Sequence, residues 1–198
     1  MRAGTLHSMS DGPGEASAHA AGDAAFADEA FAEARAAVAA ATARLAAAGA
    51  RREVLAAYEP PRRRLGLPRA ARMRRLGEVW RLGSLLLDGD GRLYAVGRVV
   101  RAEAPARRSV TANAVAEQRA YRAAAVKGGI PAGETVDFDA VPIPLDGGTA
   151  ALPAGGPVAL RDGRVMVRWN PSDPGAWTPL AGYLAERAEL LAQPAPGT

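Results

Sequence analysis

The chain predicts an α+β fold: a mainly antiparallel sheet of about five strands, in the order β-β-α-β-β-β-α, with its helices on one face. Three observations carry this. Two Asp-Gly turns, at Asp88-Gly89-Asp90-Gly91 and Arg161-Asp162-Gly163-Arg164, each lie between β-branched and aromatic runs, the strongest short-range sign of a hairpin. Two helical segments lie among these runs, one ended by Gly128-Gly129 and one opened by Thr178-Pro179. Eight of the ten aromatic residues lie at or after Tyr58, so the large side chains that supply most burial energy are concentrated there.

Taken in order, residues 1–23 carry almost no large apolar group and read as a disordered tail. Residues 24–58 read as an Ala-rich helical arm. Its main helix spans 24–48, has a thin stripe of Phe26, Phe31, Val38 and Leu45, and stops at Gly49; a short helical turn at 52–58 follows. Pro60-Pro61 ends helix, and residues 59–75, rich in Arg and Pro, read as a linker. Residues 76–193 form the expected α+β core, able to fold by itself. Its strand-like runs are Glu78–Asp88, Arg92–Arg101, Glu134–Ala140, Val158–Leu160 and Val165–Trp169, and its helices are 112–127 and 178–191. Thr111 or Asn113 caps the first of these helices; the second carries Leu180, Tyr183, Leu184, Arg187, Leu190 and Leu191 as one stripe. Gly83 and Gly97 lie on either side of the first Asp-Gly loop and are expected to face each other. Residues 194–198 read as a second tail, after Pro194.

Composition excludes much chemistry. There is no Cys, the only His are His7 and His19 in the leading tail, and the only Lys is Lys127. Thiol nucleophiles, imidazole bases and Cys/His zinc sites are thereby removed from the core. No Gly-x-Ser-x-Gly is present, and a Ser-x-x-Lys would need a hydroxyl where Ala124 stands. No cofactor is implied. Absence of Cys and of a signal-like apolar run suggests a cytoplasmic protein without membrane association.

The net charge of +4 comes from one segment. Residues 51–75 hold nine Arg against Glu53 and Glu59, whereas residues 76–198 hold thirteen bases and thirteen acids. Arg62, Arg63, Arg64, Arg69, Arg72, Arg74 and Arg75 are the candidate anion-binding set, for nucleic acid or another polyanion. The absence of an interleaved aromatic makes a solvated or intramolecular arm the preferred reading. The bias to Arg over Lys, with abundant Ala, Gly and Pro, also fits GC-rich coding.

Two further clusters have chemical potential. Glu134, Asp137 and Asp139 are the candidate metal ligands, the last two on one strand face about 7 Å apart by strand spacing; the solvent face of an amphipathic strand explains them more simply. In the segment 169–177, Trp169, Asn170, Ser172, Asp173 and Trp177 form a candidate ligand loop, although both Trp side chains also serve to anchor a turn. Asp88-Gly89-Asp90-Gly91 has Val99, not Glu, at the twelfth position, so a hairpin is preferred there to a calcium loop.

The runs VWRLGSLLLDGDGRLYAVGRVVRA (79–102), EQRAYRAAAVKGGIPAGETVDFDA (117–140) and VRWNPS (167–172) resemble a family of small uncharacterised proteins of GC-rich bacteria. The resemblance covers about 76–192. Some members carry a glutaminase label, which implies an amidohydrolase; neither a Ser-x-x-Lys nor a Cys is present to support it, and no catalytic residue is carried over. The expected function is a non-catalytic binding or interaction domain, with a small ligand, a protein partner or self-association through helix 24–48. The alternatives are a hydrolase, glutaminase-like or built on a carboxylate-bound metal, and electrostatic nucleic-acid binding through the Arg-rich segment.

Overall fold

A computed structural model describes residues 13–64, 67–104, 113–146 and 151–193. It is α+β, as expected. The N-terminal helix α1 (Pro13–Ala47) begins inside the segment read as a disordered tail. Residues 1–12, the cap candidate Thr111 and the C-terminal tail 194–198 lie outside the described residues, as does His7. Gly49, at φ +59°, ends α1 as predicted. Gly49 N–H donates to Ala46 O and Ala50 N–H to Leu45 O, the paired bonds of a Schellman cap.

The next two segments differ from expectation. Glu53–Glu59 is strand β1, not a helical turn. The supposed linker is a hairpin of β2 (Arg62–Arg64) and β3 (Leu67–Arg69), followed by the start of β4 (Arg72–Leu82). Ala and Glu favour helix in β1, but β1 is flanked by partners on both sides: it pairs antiparallel with β4 and parallel with β8 (Thr135–Phe138). The first predicted strand is two, because Gly83 (φ +65°) and Ser84 turn β4 back into β5 (Leu85–Asp88). The Asp88–Gly91 turn then leads into β6 (Leu93–Ala95), as predicted.

Strands β6 and β7 (Arg98–Arg101) sit at different places in the ladder, as do β8 and β9 (Val141–Ile143), since the sheet order is β7-β8-β1-β4-β5-β6-β9. Yet only Val96-Gly97 separates β6 from β7, and only Asp139-Ala140 separates β8 from β9. Three residue steps span at most about 11 Å, so the two ends of the sheet must meet. The pairing register confirms this: Leu93–Ile143 through Ala95–Val141 continues as Arg98–Phe138 through Arg101–Thr135, with no residue gained or lost. The sheet is therefore rolled into a small closed barrel, kinked where these two ribbons cross. Gly97 sits at the crossing, where a Cβ would collide with the carbonyl oxygens of Phe138 and Asp139. Its close neighbour is this backbone, not Gly83, which abuts Tyr183.

Inside the barrel lie Leu55, Val79 and Leu86, with Tyr94, Val96 and Ala140 partly buried. Outside, helix α2 (Asn113–Lys127) covers Val54, Ala56, Met73, Val136 and Phe138, and ends at Gly128-Gly129 as predicted. The largest core lies elsewhere on the outer face, between Trp80, Leu82, Leu85 and Leu87 and three further elements: α1, helix α3 (Leu180–Ala192), and a three-stranded sheet of β10 (Val158–Arg161), β11 (Arg164–Arg168) and β12 (Trp177–Pro179). The second Asp-Gly turn is present, with Asp162 and Gly163 both at positive φ, the geometry of a type I′ hairpin.

Two expectations about helices change. Thr178 does not cap α3: it belongs to β12, opposite Val167, and the position before the helix is Pro179 without a side-chain cap. The buried face of α3 is Leu180, Tyr183, Leu184 and Ala188, whereas Leu190 is exposed. More consequentially, the expected N-terminal helical arm, α1, is docked along the core. Ala30, Phe31, Ala34, Val38, Ala41 and Leu45 form one helical stripe buried in the main core. Phe31, Val38 and Leu45 are thus already occupied, and only Phe26 of the predicted stripe is exposed, at 67%. The expected boundary at residue 76 falls inside β4, and β1 and α1, which precede it, pack against the residues that follow it.

Candidate functional site

Where α1 passes the first Asp-Gly turn, the main core opens into a cleft of about 760 Å³. Helical spacing brings Arg35, Val38, Ala39, Thr42 and Ala43 of α1 to one wall. The turn and β6 supply Gly89 to Tyr94, and Pro142 to Asp146 complete it. The floor is apolar: Val38, Leu93, Ile143 and Leu145 are all buried. The rim carries Arg35 and Arg92 against Asp90 and Asp146, equal numbers of each sign, all exposed.

The walls are fixed by specific bonds. Arg35 Nη1 donates to Leu145 O at 2.7 Å, tying α1 to the chain after β9. Gly91, at φ +78°, lets the turn lie against Val38. Asp88 organises that turn: its Oδ1 accepts the backbone N–H groups of Asp90 (2.9 Å) and Arg92 (2.8 Å), and its Oδ2 accepts the Tyr94 hydroxyl at 2.9 Å. Burial and then the Asp88 hydrogen bond push the Tyr94 hydroxyl up to about 12, so it stays a proton donor. Thr42 Oγ1 donates to Val38 O at 2.9 Å. The Thr42 hydroxyl in the cleft is thus committed to an internal acceptor, and the Tyr94 hydroxyl is turned away to Asp88.

None of the residues predicted as sites lines this cleft. The carboxylates proposed for metal do not converge. Asp139, at φ +56°, leaves the strand, is exposed and pairs with Arg98. Glu134 is exposed, before β8. Asp137 points into the barrel with 0% exposure, where it bonds Arg81, whose Nε donates to Glu53 at 2.9 Å. Strand alternation had assigned Asp137 to a solvent face, but barrel closure buries that face. Among the described residues no group of three His, Cys, Asp or Glu side chains could hold a metal ion. Asp137 Oδ2 is buried without a hydrogen bond among the described residues. Burial, then contact with Glu53, pushes Asp137 up to about 7, against the opposing pull of Arg81. One guanidinium thus serves two carboxyls.

The Trp loop is self-contained. Asn170 Oδ1 accepts Ser172 N–H, Asp173 Oδ1 accepts Gly175 N–H, and Trp177 Nε1 donates to Pro174 O at 2.9 Å. Arg161 and Arg168 lie over the Trp177 ring at 4.7 and 5.8 Å. Trp169 is 50% exposed and Trp177 half-buried, and neither belongs to the clusters of core residues. The arginine set divides. Arg62, Arg72 and Arg74 surround Glu59 at 3.9, 2.7 and 3.5 Å, and Arg75 pairs with Glu78 at 2.6 Å. Arg63 and Arg69 are exposed on the hairpin, and Arg64 occupies its last β2 position. The Arg72 hydrogen bond holds Glu59 below its usual range, so it stays charged.

The cleft residues Arg35, Thr42, Arg92, Tyr94, Leu145 and Asp146 escaped sequence reading because they come from three distant segments with no shared short motif. Among the described residues no helix is long and apolar enough to cross a membrane. The chain matches no family model, no curated protein and no solved structure.

Proposed function

We propose that the protein is a non-catalytic binding domain whose cleft between α1 and the first Asp-Gly turn takes a small neutral or zwitterionic molecule with an apolar face. The observation that carries this is the cleft itself: an apolar floor of Val38, Leu93, Ile143 and Leu145 under a charge-balanced rim. Its ≈ 760 Å³ lies within the range of roughly 300–1,000 Å³ usual for small-molecule sites. Binding rather than reaction is supported by Thr42, the cleft hydroxyl, which is held by Val38 O.

The test is a thermal-shift screen of neutral and zwitterionic small molecules against the full chain, with calorimetry on each hit. At a hundredfold excess over Kd, binding stabilises by about 2.7 kcal/mol, or a rise of about 5–11 °C for a chain of this size. Ala39→Trp, placed on the exposed wall of α1, fills the cleft and is expected to weaken hits at least tenfold while the free protein melts as before. A panel without hits, or hits that bind Ala39→Trp equally well, counts against the reading.

A further inference from the structure

The segment read from sequence as a linker forms one projecting ribbon. Beyond Ala56, β1 loses its pairing with β8 and continues with β4 alone. The register runs through Tyr58–Met73 and Glu59–Arg72, then resumes as Arg62–Arg69, Arg63–Pro68 and Arg64–Leu67 without slipping. Pro60-Pro61 and Ala70-Ala71 fall in the gap between the two ladders, where no ladder hydrogen bond is required of the prolines. From Tyr58 to Arg64 the ribbon is about 20 Å long by strand rise. Its base is held by Tyr58, Met73 and Ala71, which pack with α2 residues such as Tyr121.

Residues 59–75 carry seven arginines and one acid, Glu59, a net charge of +6. Glu59 is shared by Arg62, Arg72 and Arg74, and one carboxylate cannot neutralise three guanidiniums. Charge is therefore left over towards the tip, where Arg62, Arg63 and Arg69 are exposed, whereas Arg75 at the base pairs with Glu78.

We propose that this arginine ribbon grips the backbone of duplex DNA, lying in the major groove. Three arguments select this partner. A two-stranded ribbon is one of the two protein shapes that the B-form major groove admits. Positions i and i+2 on a strand face, such as Arg72 and Arg74 on either side of buried Met73, are about 6.8 Å apart, the rise of two base pairs. No aromatic residue lies in 59–75, so the stacking platform that single strands require is missing, and the deep, narrow groove of duplex RNA excludes a ribbon. Pro68, which has no N–H to donate, and the flanking arginines also discourage strand addition by a second copy.

The test is fluorescence anisotropy of the full chain with a labelled 20-base-pair mixed-sequence duplex, titrated from 50 to 200 mM NaCl. The parent should bind with a Kd of about 10⁻⁴–10⁻⁶ M at physiological salt and with a steep negative log–log salt slope. The triple variant Arg62→Ala, Arg63→Ala, Arg69→Ala should bind at least tenfold more weakly, and its slope should shrink by about 2–3, near 0.9 per lost phosphate contact. A charge-matched control, Arg44→Ala, Arg119→Ala, Arg164→Ala, removes three exposed arginines elsewhere and should bind like the parent. All three proteins are checked by thermal melts in circular dichroism. Absence of duplex binding at 50 mM NaCl, equal loss in both triple variants, or tighter binding to duplex RNA, single-stranded DNA or phosphatidylserine vesicles than to duplex DNA would each overturn the proposal.

Discussion

Phe31→Ala isolates whether α1 belongs to the core. Phe31 is 1% exposed in the cluster that joins α1 to Trp80, Leu82, Leu85, Leu184 and Val167. Truncation removes the ring's burial and leaves a void that its neighbours fill only in part. For Phe→Ala in a packed core the cost is about 3–5 kcal/mol. At about 2–4 °C per kcal/mol for a chain of this length, the melting temperature should fall by about 6–20 °C. Phe26→Ala is the matched control: same helix, same substitution, 67% exposed, and an expected change within about 0.5 kcal/mol. Both are read by calorimetry at neutral pH, with two-state behaviour checked by comparing calorimetric and van't Hoff enthalpies. If Phe31→Ala melts within a degree or two of the parent, α1 contributes nothing to the core, and the stripe from Ala30 to Leu45 is not buried against it.

Two other substitutions probe the barrel. Asp137 binds its proton more tightly when folded, chiefly through burial, so its contribution to stability is full below the unfolded carboxyl range and is lost as pH rises through about 7. The parent should therefore melt higher at pH 5 than at pH 8, and Asp137→Asn should flatten that difference in pH-dependent melts; an unchanged slope would assign the proton to another group. Gly97→Ala forces a carbon into the carbonyls of Phe138 and Asp139, and should cost about 1–3 kcal/mol or more in urea denaturation. A midpoint unchanged in Gly97→Ala would show that the two ribbons do not cross closely there.

Much of the secondary structure is legible locally, because hairpin turns and helix stops are decided by a few adjacent residues. Asp162-Gly163 adopts the paired positive φ values that the dipeptide favours, and Gly128-Gly129 ends α2 where expected. What local reasoning misjudges is what another part of the chain decides. The composition of β1, Glu-Val-Leu-Ala-Ala-Tyr-Glu, leans towards helix, yet partners more than a dozen residues away on both sides hold it extended. The stripe of α1 looks weak because Ala30, Ala34 and Ala41 add little area. They are buried nonetheless, and their small size allows close approach to α3 and β11.

The same distinction governs the sites. Alternation correctly separates Asp137 from Val136 and Phe138, but alternation names a face and cannot say what closes over it. That face becomes an interior only because β6–β7 and β8–β9 continue past their kinks, a consequence of two-residue joints that look like ordinary loops when read singly. The cleft is harder still to see: Arg35 is bonded to Leu145 across 110 positions, and neither residue has a neighbour in sequence that signals the other. The arginine segment is the converse case. Its composition is plain, but a linker of seven arginines would be a diffuse cloud of charge, whereas an in-register ribbon fixes those arginines along two adjacent lines. Regular spacing is what distinguishes a surface matched to a periodic polyanion from one that is merely basic, and it arises from pairing that no single stretch of the segment displays.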